Sequence, residues 1–243
     1  AARFIRERMW NANSGTLSRR YRSGEASIDG YAEDYAYLVF GLLELFQADP
    51  DPAWLDWAEA LQRRQDELFW DDEQGGWFST TGRDPTVLLR MKEDYDGAEP
   101  TASSISVLNL LVLSHLVEGG RWADRIEKTL RYFGSRLEQM GRAVPMMASA
   151  LSAYHAGIRQ VVLVAGARDE SAGALERAIA RRYLPFAITL QVDDQARQSL
   201  ETRLPLVAAM RPVGESTAVY VCRDFACRAP VTGAAQLESE LSS

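Results

Sequence analysis

The chain has 243 residues, of which 47% are hydrophobic and 25% charged, and its formal net charge is −7. Residues 1–157 contain all six tryptophans and carry 17 basic against 24 acidic residues, whereas residues 158–243 carry ten of each. An acidic, aromatic-rich region excludes nucleic acid as a partner. It favours a small neutral sugar as ligand, because aromatic rings stack on sugar faces and carboxylates accept hydrogen bonds from hydroxyl groups.

The first residues and the longest apolar runs indicate where in the cell the protein is expected. Residues 3–9 resemble the end of an amphipathic helix, and the sequence does not begin with methionine, so we expect a piece of a longer protein. The apolar runs at 38–46 and 107–117 are too short to span a bilayer. No signal pattern is present at the start. We therefore expect a cytoplasmic protein that has no membrane partner.

Helices of two kinds follow one another along residues 31–157. Segments 31–47, 101–119 and 143–157 are apolar nearly all round, which predicts buried helices. Segments 52–70 and 121–140 have one apolar stripe each, which predicts half-exposed helices.

This alternation indicates antiparallel helical hairpins, with inner members lining a centre. We predict a mainly α fold for residues 1–157, a partial α/α toroid with about three of the six hairpins of a glycosidase-type ring. An open toroid exposes apolar surface. A homodimer, or the missing N-terminal portion of the same protein, is therefore an expected partner.

Two inserts precede the inner helices. Residues 69–100 predict a β-hairpin, and residues 11–28 predict a shorter one. Each insert ends in Asp-Gly and then places carboxylates and a tyrosine at a helix start. Because the inner helices run roughly parallel, we expect both acidic segments on one rim of the ring.

The rim supplies the candidate site. Asp34 and Glu99 are the candidate acid and base, since paired carboxylates in different surroundings can divide these roles. Inverting glycoside hydrolysis needs two carboxyl groups about 6.5–9.5 Å apart. The candidates for substrate binding are Asp29, Tyr31, Glu33, Tyr35, Asp94, Tyr95 and Asp96. A structural alternative stays open, because acidic residues favour the first turn of any helix.

Histidines and cysteines offer little further chemistry. His115 and His155 fall near the far ends of inner helices and are interpreted as core or helix-end residues. Cys222 and Cys227 cannot complete a zinc site alone. Two buried free thiols are favoured over a disulfide or redox pair. We expect neither a metal nor a cofactor.

Residues 158–243 predict a small, partly parallel α/β unit. Strands are expected near 161–166, 186–192 and 216–222, separated by a helix to about residue 183 and another from about residue 194. Asp169 and Ser171 are candidate N-caps of the first helix. The glycines match neither the dinucleotide fingerprint nor a phosphate-binding loop.

Four separated segments, 27–48, 65–80, 87–104 and 218–233, resemble in their order the spermatogenesis-associated thioredoxin-domain proteins and their bacterial relatives. The resemblance implies a toroid similar to N-acylglucosamine 2-epimerases and six-hairpin glycosidases, then a small α/β segment with a two-cysteine motif. The family's thioredoxin-like domain is missing from this chain. Where the family tends to read Ser-Gly-Asn-Ser, the chain has Ser103 in place of the asparagine, which removes an amide from the rim.

Two hypotheses follow for function. The first is a carbohydrate-active protein, a relative of sugar epimerases, isomerases or glycosidases, in which the rim tyrosines bind the substrate. The second is a non-catalytic scaffold or binding module associated with a thioredoxin-like domain. The scaffold hypothesis predicts that the carboxylates pair with arginines such as Arg19, Arg20, Arg22 and Arg90. Whether the protein is an enzyme stays open at this point.

Overall fold

The computed structural model describes residues 1–83, 85, 87–117, 121–166, 172–223 and 226–242. Two compact units are present. Unit 1 comprises Ala1–Leu43, Leu55–Ser114 and Gly119–Ser152, and unit 2 comprises Glu44–Trp54, His115–Glu118 and Ala153–Ser243.

The α-helices of the described residues are α1 (Ala2–Arg8), α2 (Ala32–Ala48), α3 (Pro52–Phe69), α4 (Ala102–Leu116), α5 (Ala123–Tyr132), α6 (Gly134–Met140), α7 (Pro145–Ala156), α8 (Ala172–Ala180), α9 (Asp194–Leu200), α10 (Pro205–Ala209) and α11 (Ala234–Ser242). The strands are β1 (Trp10–Asn11), β2 (Thr16–Arg22), β3 (Glu25–Asp29), β4 (Arg159–Val164), β5 (Ala187–Val192), β6 (Ala218–Arg223) and β7 (Ala226–Cys227). The chain is therefore mainly helical with two small sheets, as the sequence predicted at this level. No described helix is long and apolar enough to cross a membrane.

The helices α2, α3 and α4 form the core of unit 1. Their apolar residues are packed away from water, with Val39, Leu61 and Leu110 all fully buried. Buried amides join the three helices: Gln65 Nε2 donates to the carbonyl of Ala32 at 2.9 Å, and Asn109 Nδ2 donates to the carbonyl of Ala36 at 2.8 Å. These bonds hold the beginning of α2, which carries the first acidic segment.

The segment expected to form one helix at 121–140 forms two. The helix α5 ends at Tyr132, and α6 begins at Gly134. Glycine disfavours a helix interior because it loses the most backbone entropy on folding. The predicted apolar positions Trp122, Ile126 and Phe133 are nevertheless buried.

The first insert is confirmed as a hairpin. Strands β2 and β3 pair antiparallel, with Arg22 opposite Glu25. Ser23 and Gly24 connect them with φ angles of 54° and 88°. Two consecutive positive φ values are typical of a type I′ turn, which matches the twist of the flanking strands.

The hairpin predicted in the second insert is wrong. The described residues between Phe69 and Pro100 contain no strand, and a single antiparallel bridge joins Trp70 to Trp77. The guanidinium of Arg90 donates to the carbonyls of Thr80 at 2.9 Å and Leu68 at 3.1 Å. The Arg90 side chain thus satisfies one carbonyl in the last turn of α3 and one carbonyl of the irregular insert.

Unit 2 contains a mixed sheet in the order β5-β4-β6-β7. Strand β4 pairs parallel with β5 and antiparallel with β6, which confirms a partly parallel α/β unit. One face of the sheet packs against α8 and α11 through Val161, Val219, Leu175 and Leu237. The proposed N-caps Asp169 and Ser171 lie outside the described residues.

The prediction of free cysteine thiols is wrong, because Cys222 and Cys227 form a disulfide. The two residues lie directly opposite each other on β6 and β7. Antiparallel pairing brings side chains at such positions close together. The spacing along the sequence could not show this, because it depends on where the chain reverses.

Candidate functional site

The first acidic segment lies at the beginning of α2. Glu33 and Asp34 occupy its first turn, and Asp34 Oδ2 accepts a hydrogen bond from the backbone N–H of Tyr31 at 2.8 Å. Arg19 of β2 pairs with both acids, its Nη1 lying 2.7 Å from Glu33 Oε1 and 3.3 Å from Asp34 Oδ2. The hairpin therefore holds a cation over the start of the helix.

Burial and charge together raise the pKa of Asp34 above its ordinary value. Desolvation is the largest cause, and the nearby charges of Glu33 and Glu99 act in the same direction. The hydrogen bond from Tyr31 and the charge of Arg19 oppose the rise. Asp34 is thus influenced by a carboxylate of the second acidic segment.

The second segment contributes Glu93 and Glu99, both exposed. The pKa of Glu93 is nevertheless raised, mainly because its carboxyl group is partly desolvated. The charges of Glu33 and Glu99 raise it further. The structure therefore gathers four carboxylates, Glu33, Asp34, Glu93 and Glu99, which we call the acidic rim. Sequence reasoning missed Glu93, although it belongs to the same acidic stretch as Glu99.

Tyr37 lies beside the acidic rim and was also missed. Burial is the main cause that raises its pKa to about 12, and Glu99, Asp96 and Glu33 contribute further. Its hydroxyl donates to the carbonyl of Pro100 at 3.0 Å. The signal in the sequence is its spacing of four residues after Glu33, which puts both on one helix face.

A narrow crevice, whose interior is too small for a water molecule, lies between the two segments. Its lining consists of Glu33, Trp77, Ser79, Glu93, Thr101, Ala102 and Ser103. Ser103 is buried and accepts a hydrogen bond from the backbone N–H of Trp77 at 3.1 Å. Trp77, Thr101 and Ser103 are at most 2% exposed, so the carboxylates of Glu33 and Glu93 are the polar groups that this crevice presents at the surface.

Asp96 is placed in a structural position and not on the acidic rim. It is buried, and its Oδ1 accepts from the N–H of Thr101 at 2.8 Å and from Ser104 Oγ at 2.9 Å. Its Oδ2 accepts from the N–H of Met146 at 2.8 Å. A carboxylate with these partners caps the starts of α4 and α7.

The three predicted tyrosines have different surroundings. Tyr35 is buried, and its hydroxyl accepts from the N–H of Leu17 at 2.9 Å, so its ring does not face a ligand. Tyr31 and Tyr95 are exposed. The guanidinium of Arg19 lies 4.5 Å from the centroid of the Tyr31 ring.

The two remaining predicted acids do not join the acidic rim. Asp29 is exposed at the end of β3, opposite Ser18. Asp94 is exposed and forms an ion pair with Arg136. His115 and His155 lie in the last turns of α4 and α7, at the ends opposite those that carry the acidic segments.

Among the described residues, no group of three or more histidine, cysteine, aspartate or glutamate side chains has the geometry to hold a metal ion.

The fold and the acidic rim define a class: a mainly helical unit with carboxylates gathered at helix starts, together with a small mixed α/β unit. The chain is 34% identical to spermatogenesis-associated protein 20 of Homo sapiens in an alignment that covers 99% of the chain and 32% of that protein. The Rattus norvegicus protein of the same name is also 34% identical, with the same coverage. An uncharacterised protein of Caenorhabditis elegans is 32% identical over 88% of the chain and 29% of that protein.

These similarities support the spermatogenesis-associated protein family for this chain. No family model matches it. The chain spans about a third of the length of the curated relatives it matches.

Proposed function

We propose that the acidic rim binds a neutral polyhydroxylated ligand, a sugar. The observation that carries this proposal is the convergence of carboxylates from two separated segments, Glu33 and Glu93, at one crevice of the surface. Carboxylates accept hydrogen bonds from sugar hydroxyl groups. The exposed rings of Tyr31 and Tyr95 would extend the contact area.

The chemistry we propose is acid–base catalysis on that sugar. Of two carboxyl groups in different surroundings, the one with the raised pKa is the candidate general acid. Asp34 and Glu93 both have a raised pKa. Glu99 is exposed and, among the described residues, makes no ion pair, so it would serve as the base.

The finer architecture belongs to the same proposal. We infer that unit 1 is part of an α/α toroid related to the sugar epimerases and six-hairpin glycosidases, and that bacterial relatives share it. Phe40 of α2 is 39% exposed, which fits an inner helix whose ring is incomplete. A further part of a longer chain, or a second copy of this one, would cover this surface in the cytoplasm.

The experiment is thermal unfolding of the chain in the presence of a panel of monosaccharides and disaccharides. A bound sugar raises the free energy of unfolding by about 2.7 kcal/mol at a hundredfold excess over Kd. We expect a sugar to raise the unfolding midpoint of the wild type but not that of Glu93→Gln or Glu99→Gln. The control Glu138→Gln, which changes an exposed residue of α6, should keep the rise. If none of the sugars changed the unfolding midpoint of the wild-type protein, the proposal would be wrong.

A scaffold function is the second candidate, and Arg19 favours it. Its ion pairs with Glu33 and Asp34 neutralise carboxylates of the acidic rim, as the scaffold hypothesis predicts. Arg90 does not follow the same pattern, since it binds backbone carbonyls. A binding module of this kind would associate with a thioredoxin-like domain. It predicts co-elution with that domain, no response to sugars, and loss of co-elution in Arg19→Gln.

A further inference from the structure

The disulfide of unit 2 joins an interior residue to a surface residue. Cys222 is 1% exposed on β6, whereas Cys227 is exposed on β7. Strand β7 has two described residues and pairs with β6 alone among the described strands. A thiolate from solvent would therefore meet Cys227 first, because exposure controls which sulfur is attacked.

Stabilisation of the fold is a weak explanation for this disulfide. The two cysteines are five residues apart, and the stabilisation from a disulfide grows with the length of the loop that it closes. Strand pairing already sets Arg223 opposite Ala226 and Cys222 opposite Cys227. The bond therefore joins two strands that backbone hydrogen bonds already pair.

Gln160 of β4 is the neighbour of Cys222 on the other side. The two residues lie directly opposite each other in the β4–β6 pair. Side chains of such a pair point to the same face and come within contact distance. Gln160 is 5% exposed, and its Nε2 donates to the carbonyl of His115 at 2.6 Å. That bond fixes the amide, because the reverse orientation would set two carbonyl oxygens against each other.

The other amide atom has no such bond. Among the described residues, Gln160 Oε1 is buried and finds no hydrogen-bond donor. A buried acceptor without a donor is costly. A cysteine in a disulfide has no S–H to offer, whereas a reduced cysteine does. Reduction of Cys222 would therefore supply the missing donor beside Gln160.

We propose that Cys222 and Cys227 form a redox-active pair that exchanges with external dithiols, and that Gln160 favours its reduced form. The thiolate of the dithiol attacks Cys227 Sγ, forming a mixed disulfide and breaking the Cys222–Cys227 bond. The electron pair leaves with Cys222, which takes up a proton and donates its S–H to Gln160 Oε1. The second thiolate of the reagent attacks the reagent's sulfur in the mixed disulfide and releases Cys227. The cysteine pair gains two electrons and two protons, and the dithiol loses them as it closes to its own disulfide.

This activity is independent of the acidic rim, since it uses residues of unit 2 only. The test is a redox titration of the folded chain in mixtures of reduced and oxidised dithiothreitol, followed by maleimide labelling and mass measurement. We expect two labels to appear together while the circular dichroism stays native. A pair that resists reduction until the protein unfolds would overturn the proposal.

The variant Gln160→Leu tests the role of the amide. It removes both the orphan acceptor of the oxidised form and the S–H acceptor of the reduced form. We expect the equilibrium to move about fivefold toward the disulfide, as for one net hydrogen bond. At about 30 mV per tenfold change, that is a midpoint about 20 mV more negative. Gln191→Leu, an exposed glutamine of β5, is the matched control and should not move it. If the redox midpoint of Gln160→Leu equalled that of the wild type, Gln160 would have no role in favouring the reduced form. An ordered water would then satisfy its Oε1.

Single cysteine variants test the order of attack without relying on Gln160. In Cys222→Ser the remaining Cys227 should react rapidly with maleimide. In Cys227→Ser the remaining Cys222 should react at least tenfold more slowly, because it is buried. Equal rates in the two folded variants would overturn the assignment of Cys227 as the entry sulfur.

Discussion

Asp96 Oδ2 lies 2.8 Å from the backbone nitrogen of Met146, fifty residues further along the chain. The other carboxylate oxygen accepts from Thr101 at 2.8 Å. One buried side chain thus caps two helices of unit 1. The acidic stretch from Met91 to Pro100 therefore does two things: Asp96 anchors it, and Glu93 and Glu99 face outward from it.

Replacing Asp96 by alanine should strongly destabilise unit 1. The variant removes caps from α4 and α7, and each lost cap costs about 1–2 kcal/mol, so we expect a loss of about 2–4 kcal/mol in the free energy of unfolding. Urea titration followed by tryptophan fluorescence measures it. Asp94→Ala is the control, because this exposed carboxylate makes a surface ion pair worth at most about 1 kcal/mol. Equal losses in the two variants would contradict the capping role.

The carboxyl group of Asp66 should make stability depend on pH. The pKa of Asp66 is raised from 3.8 to about 6, and burial is the largest cause of this rise. The charge of Arg125 and hydrogen bonds from Gln62 and Trp77 act in the opposite direction. Between these two values the folded state binds more protons than the unfolded state, so stability falls as pH rises through this window. The fall is at most about 3 kcal/mol, at 1.36 kcal/mol for each pKa unit.

The measurement is urea unfolding at pH 4 and at pH 7. Asp66→Asn, which does not titrate, should show a smaller decrease across this window than the wild type. Asp72→Asn, which replaces an exposed carboxylate, should behave as the wild type does. A decrease of the same size in Asp66→Asn would show that another group causes it.

The hydroxyl of Tyr35 should matter for stability and not for ligand binding. In Tyr35→Phe the N–H of Leu17 loses its acceptor in a buried place, which costs about 1–3 kcal/mol. Thermal unfolding with and without a stabilising sugar separates the two effects. We expect a lower midpoint and an unchanged shift by the sugar. The exposed Tyr31 provides the comparison, since Tyr31→Phe should leave the midpoint of the free protein nearly unchanged.

Removing Arg19 should raise the pKa of Asp34 further. Burial raises it already, and the charge of Arg19 is one of the effects that hold it down. In Arg19→Gln the carboxyl group should titrate at a higher pH than in the wild type, as followed by carbon NMR of the aspartate side chains. Arg20→Gln, which loses a contact with Ser27 instead, should leave the Asp34 titration in place. A titration of Asp34 unchanged in Arg19→Gln would mean that the ion pair does not form in solution.

The sequence predicted most of the helices because their apolar periodicity is local. The buried face of α2, the half-exposed stripe of α3 and the mixed α/β character after Gly157 all depend on residues a few positions apart. The errors fall where distant groups compete. Arg90 binds the carbonyl of Thr80 inside the segment predicted as a hairpin, and Gly134 divides a helix whose apolar stripe continues across it.

The sequence by itself determined that two acidic segments precede buried helices and that carboxylates would gather there. Only the tertiary structure decided which carboxylates face outward. Asp96 and Glu99 are three residues apart, yet one is buried as a double helix cap and the other is exposed. The difference depends on backbone N–H groups near residue 146, and nothing in the local pattern specifies where they lie. The disulfide has the same cause, because it is set by the register of β6 and β7 and not by composition.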